Sequence, residues 1–268
     1  MIRKAIYLCT LVVFLCSCGE YYKVQKSNDL ELKYAYAKTC FDKGKYSRAY
    51  SLLEDLVPVF KGSDMAEESL YLLARSHFMA KNYDTAGDYF ATYYRSYPKG
   101  QFTEMARYHS GLSFYLESPD PRLEQSTTYK GIDELQMYLD YYPRGEKAEE
   151  VRKMIFSLQE KLAEKEYKNC ELYYNIGNYL GRNYFESAVI TAQNALKTYP
   201  FTEKKEDFMM LILRARYKEA QESIIERKGE RYRNAIDEYY AYINEFPEGK
   251  YRKEADAIFK DADSKIEE

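Results

Sequence analysis

Side chains able to do covalent or metal chemistry are scarce in this chain. Its two histidines, His77 and His109, have no second metal-type residue at ligand spacing, so a packed or interfacial role is expected for both. No glycine-rich phosphate loop, nucleophile elbow or pair of catalytic carboxylates occurs. Acidic residues are scattered among lysines, as on ordinary solvated helix faces. Enzyme activity is therefore not expected, nor a metal or other cofactor. The spacing that stands out instead joins aromatics and cations. Tyr34, Lys38 and Phe41 fall at i, i+4 and i+7; Tyr71, Arg75 and Phe78 repeat the set, and Tyr108, Leu112 and Tyr115 repeat it again. On helices each set is one stripe. Stacked side by side, the stripes make two aromatic ladders with Lys38 and Arg75 between them. Such a trough suits an extended peptide ending in an aromatic residue: rings give contact area, hydroxyls meet backbone groups, and the cations attract a terminal carboxylate. The same rings serve equally well as packing between neighbouring elements, and the sequence leaves both readings open.

One thiol has a definite chemistry. Arg3 and Lys4 precede an apolar run from Ala5 to Cys16, the length of a secretory signal and too short to span a bilayer. The run ends in Leu15-Cys16-Ser17-Cys18, and small Ser17 beside Cys18 resembles the bacterial lipobox. In that motif the cysteine thiol takes a diacylglycerol and the chain is cut just before it. Residues 1–17 are thus expected to be a signal peptide, Cys18 the lipid attachment site, and 18–28 a tether that could reach about 35 Å if extended. Removing Arg3 and Lys4 takes the net charge from −3 to −5, which gives no electrostatic basis for nucleic-acid binding.

The elements that hold the stripes show as a repeat. Tyr46-x-x-Ala49 recurs as Tyr83-x-x-Ala86, Thr128-x-x-Gly131, Phe185-x-x-Ala188 and Tyr232-x-x-Ala235. Twelve residues after four of the small residues stand Pro98, Pro143, Pro200 and Pro247, each preceded by an aromatic. The small residue lets two antiparallel helices approach, the aromatic one turn earlier fills the gap beside it, and the proline ends the second helix. This is the pattern of a tetratricopeptide repeat (TPR), lengthened here. The reading is all-α: a TPR-like superhelical solenoid of about five helical hairpins with a C-terminal capping helix from Tyr251 to Ile266. Repeats 1–3 are expected over 29–145 and repeats 4–5 with the cap over 146–268, joined by one long helix from Glu146 to Tyr179.

Composition agrees with a folded helical chain. Of 268 residues 46% are hydrophobic and 31% charged, and only 12 Gly and 7 Pro interrupt them, too few for a turn-rich β-sandwich. Tyrosine is abundant, at 31, and tryptophan absent. Cys40 and Cys170 lie in repeats that are not neighbours, so two separate core thiols are expected rather than a disulfide.

The lipobox, tether and five irregular repeats, with Leu162-Ala163-x-x-Glu166, Tyr173-Tyr174 and the Tyr199-Pro200 helix end, resemble the BamD family of outer-membrane assembly lipoproteins. The resemblance covers nearly all of the chain after Cys18. It implies a non-catalytic, lipid-anchored scaffold on the periplasmic side of the outer membrane. The resemblance further implies that the C-terminal repeats hold the barrel subunit BamA and that the N-terminal repeats receive segments of unfolded outer-membrane proteins. Tyr173 and Tyr174 match a tyrosine pair near the BamA-docking region. Thr191 stands where the family often has arginine, so no charge pair with BamA is implied there. Two other functions fit a helical lipoprotein: an adaptor to peptidoglycan or a division complex, and glycan capture of the SusD-like kind, against which the absence of tryptophan argues.

Overall fold

The structure is a computed structural model that describes residues 20–266. The expected signal peptide and Cys18 lie outside the described residues. Helices account for all the regular structure described, and no strand occurs among these residues. They run as α1 (Leu30–Asp42), α2 (Tyr46–Val59), α3 (Ala66–Met79), α4 (Tyr83–Ser96), α5 (Thr103–Glu117) and α6 (Ser126–Tyr141). There follow α7 (Ala148–Ile176), α8 (Tyr184–Thr198), α9 (Lys205–Gln221), α10 (Ile225–Glu245) and α11 (Arg252–Ser264). Consecutive helices pack together as TPR-like hairpins: α1–α2, α3–α4, α5–α6, α8 with the later part of α7, and α9–α10, with α11 as the cap.

The chain divides into two compact units, one of residues up to Ser118 with Ser126–Ile155, the other of Pro119–Gln125 with Phe156 onward. The division falls inside α7 rather than at its start because the first turns of α7 complete repeat 3. Val151, Met154 and Ile155 are buried, and the Tyr108 hydroxyl on α5 donates to Glu150 at 2.7 Å.

Local chemistry explains the helix boundaries. Asp29 caps α1 by accepting from the Leu32 N–H at 2.9 Å, and Asn183 does the same for α8. Pro98, Pro143, Pro200 and Pro247 each stand two residues beyond the last residue of α4, α6, α8 and α10. Ala49, Ala86, Gly131, Ala188 and Ala235 are all buried at the helix crossings, as their recurrence predicts. The hairpin turns repeat as well: Phe41 meets Tyr46 edge-on at 5.4 Å across one turn, and Phe78 meets Tyr83 at 5.4 Å across the next. Gly44 takes φ +70° in the first turn, and Lys81, 37 residues later, is held at φ +64° in the second.

The tether differs from the sequence reading. Residues 20–25 are helical, Val24 is buried, and Tyr21 packs against the first hairpin with the Arg48 guanidinium 5.3 Å from its ring. Tyr21 and Val24 share one helical face, a pattern too short to register as periodicity. A helix advances only ~1.5 Å per residue, so this stretch reaches less far than an extended chain.

A second recurring feature was invisible in the sequence. Tyr93, five residues before Pro98, donates its hydroxyl to Glu67 Oε1 at 2.5 Å and accepts from the Phe102 N–H at 3.2 Å. Tyr138 repeats this with Glu104 at 2.9 Å, and Tyr242 with Glu206 at 2.8 Å. Each bond ties the second helix of a hairpin to the first turn of its partner. Gly100, Gly145 and Gly249 lie against these bonds; a Cβ on Gly100 would stand 2.5 Å from Glu67 Oε1 and 2.7 Å from the Tyr93 hydroxyl. Repeat 4 replaces the set together. Ala195 takes the tyrosine position, Thr202 the glycine position, and Thr202 Oγ1 donates to Glu160 at 3.1 Å.

Candidate functional site

The three aromatic–cation stripes fall on α1, α3 and α5, and all belong to the first unit. Their first rings are not on an open wall. Tyr34, Tyr71 and Tyr108 are 5%, 8% and 5% exposed. Tyr34 packs edge-on to Phe60 at 5.5 Å, and burial beside the Glu68 carboxylate pushes its phenol up. Tyr71 stacks on Phe102 at 4.2 Å with an interplanar angle of 6°, and burial likewise raises its phenol. Tyr108 is held by its bond to Glu150, and its phenol is raised by burial and then by that bond. Tyr34 and Tyr108 therefore serve packing between helices, and Tyr71 does so while one edge of its ring borders the pocket between α1 and α3. An aromatic of this size buries most of its area wherever neighbouring hairpins meet, and spacing along one helix does not show which side the next hairpin covers.

The rest of the stripes leave an opening. Lys38, Phe41, Tyr71, Leu72 and Arg75, joined by Phe102 and by the carboxylates of Asp42 and Glu68, line a pocket of about 220 Å³ between α1 and α3. Phe41 is half-buried and the Arg75 guanidinium lies 4.8 Å from its ring centre. Lys38 sits 4.7 Å over the Tyr34 ring and 3.6 Å from Glu68, both members of that pair being about half exposed. Its charge is thus partly neutralised, while Arg75 makes no ion pair among the described residues and is the cation left for an anionic ligand. Phe78 and Tyr115 are half-buried; Phe78 meets Tyr83 and His109 edge-on, each at 5.4 Å. The structure thus brings Lys38, Phe41, Tyr71 and Arg75 to one pocket and places Tyr34, Phe78, Tyr108 and Tyr115 outside its lining. Phe102 was missed because it precedes α5 and belongs to no stripe. No recurrent spacing marks it, since the matching positions after Pro143 and Pro200 hold Lys147 and Lys204.

Both histidines are packed. His77 lies buried between Tyr50 and Tyr89, with ring centres 4.3 and 5.2 Å away. Burial lowers its pKa, partly opposed by Glu54 at 3.2 Å. His109 stacks on Phe90 at 5.2 Å and is lowered chiefly by burial. Among the described residues no group of His, Cys, Asp and Glu is arranged to hold a metal ion. No described helix is long and apolar enough to cross a membrane. Cys40 and Cys170 are free and buried, and burial raises the Cys170 thiol to about 12.

In the second unit, Tyr173 and Tyr174 are half-buried on α7. Tyr173 stacks over Tyr184 at 6.3 Å, and Tyr174 meets Phe185 edge-on at 5.8 Å. Both pack against the core of repeat 4, leaving part of each ring at the surface.

Comparison with known proteins fits this helical frame. The outer membrane lipoprotein family YfiO matches residues 26–181, more than half of the chain. The chain belongs to this family. It is also similar to the outer membrane protein assembly factor BamD of Caulobacter vibrioides, 23% identical over 146 residues, which are 53% of this chain and 47% of that protein. The match thus spans about half of that relative's length. The family match ends at the turn after α7, so it covers the candidate pocket and the Tyr173-Tyr174 pair, while α8 to α11 lie beyond it.

Proposed function

We propose that this chain is a non-catalytic scaffold of outer-membrane β-barrel assembly, anchored by a lipid on Cys18 and facing the periplasm. Its first repeats receive segments of unfolded outer-membrane proteins, and its later repeats hold a BamA-like barrel subunit. Membership of the outer membrane lipoprotein family and the similarity to an assembly factor support this reading. The observation that carries the substrate half is the pocket between α1 and α3, which sets Arg75, without an ion pair among the described residues, beside the rings of Phe41, Tyr71 and Phe102. Its volume of about 220 Å³ suits one aromatic side chain, and the guanidinium fork suits a terminal carboxylate. Tyr173 and Tyr174, half-buried with part of each ring at the surface, are the proposed contacts to the BamA-like subunit.

Binding of a short peptide with a C-terminal phenylalanine, followed by fluorescence anisotropy, tests the substrate half. Arg75→Glu is expected to weaken binding about ten-fold or more, the weight of one charge-assisted hydrogen bond, and Lys38→Glu less because Glu68 already faces it. Equal affinity for the wild type and the double variant refutes the pocket. Co-purification from membranes tests the scaffold half: a barrel subunit should come with the chain, and depletion of the chain should deplete barrel proteins from the outer membrane.

A further inference from the structure

Two interhelical turns of the second unit expose large apolar side chains where a protein surface normally shows polar ones. Between α7 and α8, the 3₁₀ turn Tyr179–Gly181 carries Tyr179 at 64% and Leu180 at 82% exposure. Between α9 and α10, Ile224 and Ile225 are 64% and 81% exposed. Leu180 also adopts φ +54°, ψ +33°, a left-handed conformation that costs a non-glycine residue about 1 kcal/mol or more. The chain thus places an aliphatic residue in strain at a tip that gains nothing from burial within the fold.

The two turns are held side by side. Asn178 Nδ2 donates to Glu222 Oε2 at 3.0 Å, and both residues line a cleft of about 390 Å³ with Asn183, Ser223, Arg227 and Arg231. Arg231 is fixed by Ser223 Oγ at 3.0 Å and by buried Glu219 at 3.5 Å. Arg227, exposed in the first turn of α10, makes no ion pair among the described residues. Around these turns Arg182, Arg227, Lys228, Arg231 and Arg233 stand among Glu186, Glu219, Glu222, Glu226 and Glu230, and the exposed guanidiniums of Arg182 and Arg227 make no ion pair among the described residues. The result is a polar, arginine-bearing cleft edged by projecting Leu, Ile and Tyr.

We infer that this end of the second unit is a bilayer contact: Leu180, Ile224 and Ile225 enter the acyl boundary of an anionic phospholipid membrane while Arg227 takes a headgroup phosphate. The chemistry favours lipid over a protein groove. Single aliphatic residues on loop tips, flanked by arginine and lysine and by an interfacial tyrosine, match the layered polarity of a membrane surface. A bilayer is at hand because the family is one of outer membrane lipoproteins. The inference goes beyond the scaffold reading and does not depend on peptide binding or on the barrel subunit.

The chain has no tryptophan, so Ile225→Trp introduces a unique reporter at an exposed position. The full chain, purified from membranes, is reconstituted in vesicles of phosphatidylethanolamine and phosphatidylglycerol. The expected result is a blue-shifted emission that lipids brominated on their acyl chains quench. Adding Leu180→Ser is expected to lower partition of the turn into the bilayer about ten-fold, the weight of one buried aliphatic side chain, and Arg227→Glu to abolish the dependence on phosphatidylglycerol. Phe201→Trp is the control. Phe201 is equally exposed but lies beyond the far end of α8, about 20 Å from its start, and should stay unquenched. A water-exposed, unquenched Ile225→Trp overturns the inference, as does equal quenching of both reporters. A blue shift that needs co-purified envelope proteins and is absent in vesicles also overturns it, in favour of a protein partner.

Discussion

Gly100→Ala tests whether the glutamate–tyrosine bonds hold the hairpins together. The new Cβ would lie 2.5 Å from Glu67 Oε1, 2.7 Å from the Tyr93 hydroxyl and 3.0 Å from Tyr97 Cβ, so the bond must open to admit it. Opening it removes a charge-assisted hydrogen bond at 2.5 Å and displaces the Gln101 and Phe102 N–H groups, which donate to Glu67 at 3.0 Å and to Tyr93 at 3.2 Å. Hydrogen bonds to charged groups contribute about 1.5–3 kcal/mol and neutral ones about 1 kcal/mol. Alanine returns about 0.4–1 kcal/mol by restricting the unfolded chain. The net loss is about 2–4 kcal/mol, a fall in melting temperature of roughly 5–12 °C for a chain of this size. Because repeat proteins lose stability locally, hydrogen exchange gives the sharper readout: the Gln101 and Phe102 amides should lose protection before those of the second unit. In the Tyr93→Phe background the same substitution should cost less than the two single effects added, since one bond cannot be lost twice. A Gly100→Ala protein that melts at or above the wild type, with both amides still protected, refutes the reasoning.

Replacing Lys81 by glycine should stabilise the second hairpin by about 1 kcal/mol, because φ +64° penalises any residue with a Cβ there; a lower melting temperature would show the turn is not strained. Alkaline pH should unfold the chain. Burial, followed by neighbouring carboxylates, lifts the phenols of Tyr94, Tyr138 and Tyr242 to about 12, above the ordinary 10.0. Their contribution is complete below the unfolded value and is lost as pH rises from 10.0 towards 12, since the unfolded chain ionises first. Tyrosine absorbance, unobscured by tryptophan, should show these groups ionising together with the loss of helix rather than before it. Cys170, fully buried with its thiol raised to about 12, should resist alkylation at neutral pH until the second unit opens; rapid labelling of the native protein would contradict its place in the core.

Much of the frame was legible because it is written in local chemistry. A small residue at each helix crossing, an aromatic one turn before it and a proline closing each second helix fix the hairpins within a few dozen residues. The cap from Tyr251 differs from α11 by one residue at its start, and α7 runs unbroken over 29 residues as the absence of breakers predicts. The helical turn at 20–25 was missed because two apolar residues, Tyr21 and Val24, carry no period of their own.

What the sequence by itself determined, then, is the succession of helices and the order of hairpins, since propensity, breakers and small-residue crossings act over one or two turns. Tertiary structure alone decided which rings face water. Tyr34 shares a stripe with Lys38 and Tyr71 with Arg75, yet Tyr34 is sealed, Tyr71 only edges the pocket and both cations are open, because the neighbouring hairpin covers one edge of each stripe and not the other. It alone joined Tyr93 to Glu67, 26 residues away, and showed Ala195 and Thr202 to be a paired replacement of the same bond in repeat 4. Contacts between residues so far apart depend on how helices stack, and no spacing along one helix records that.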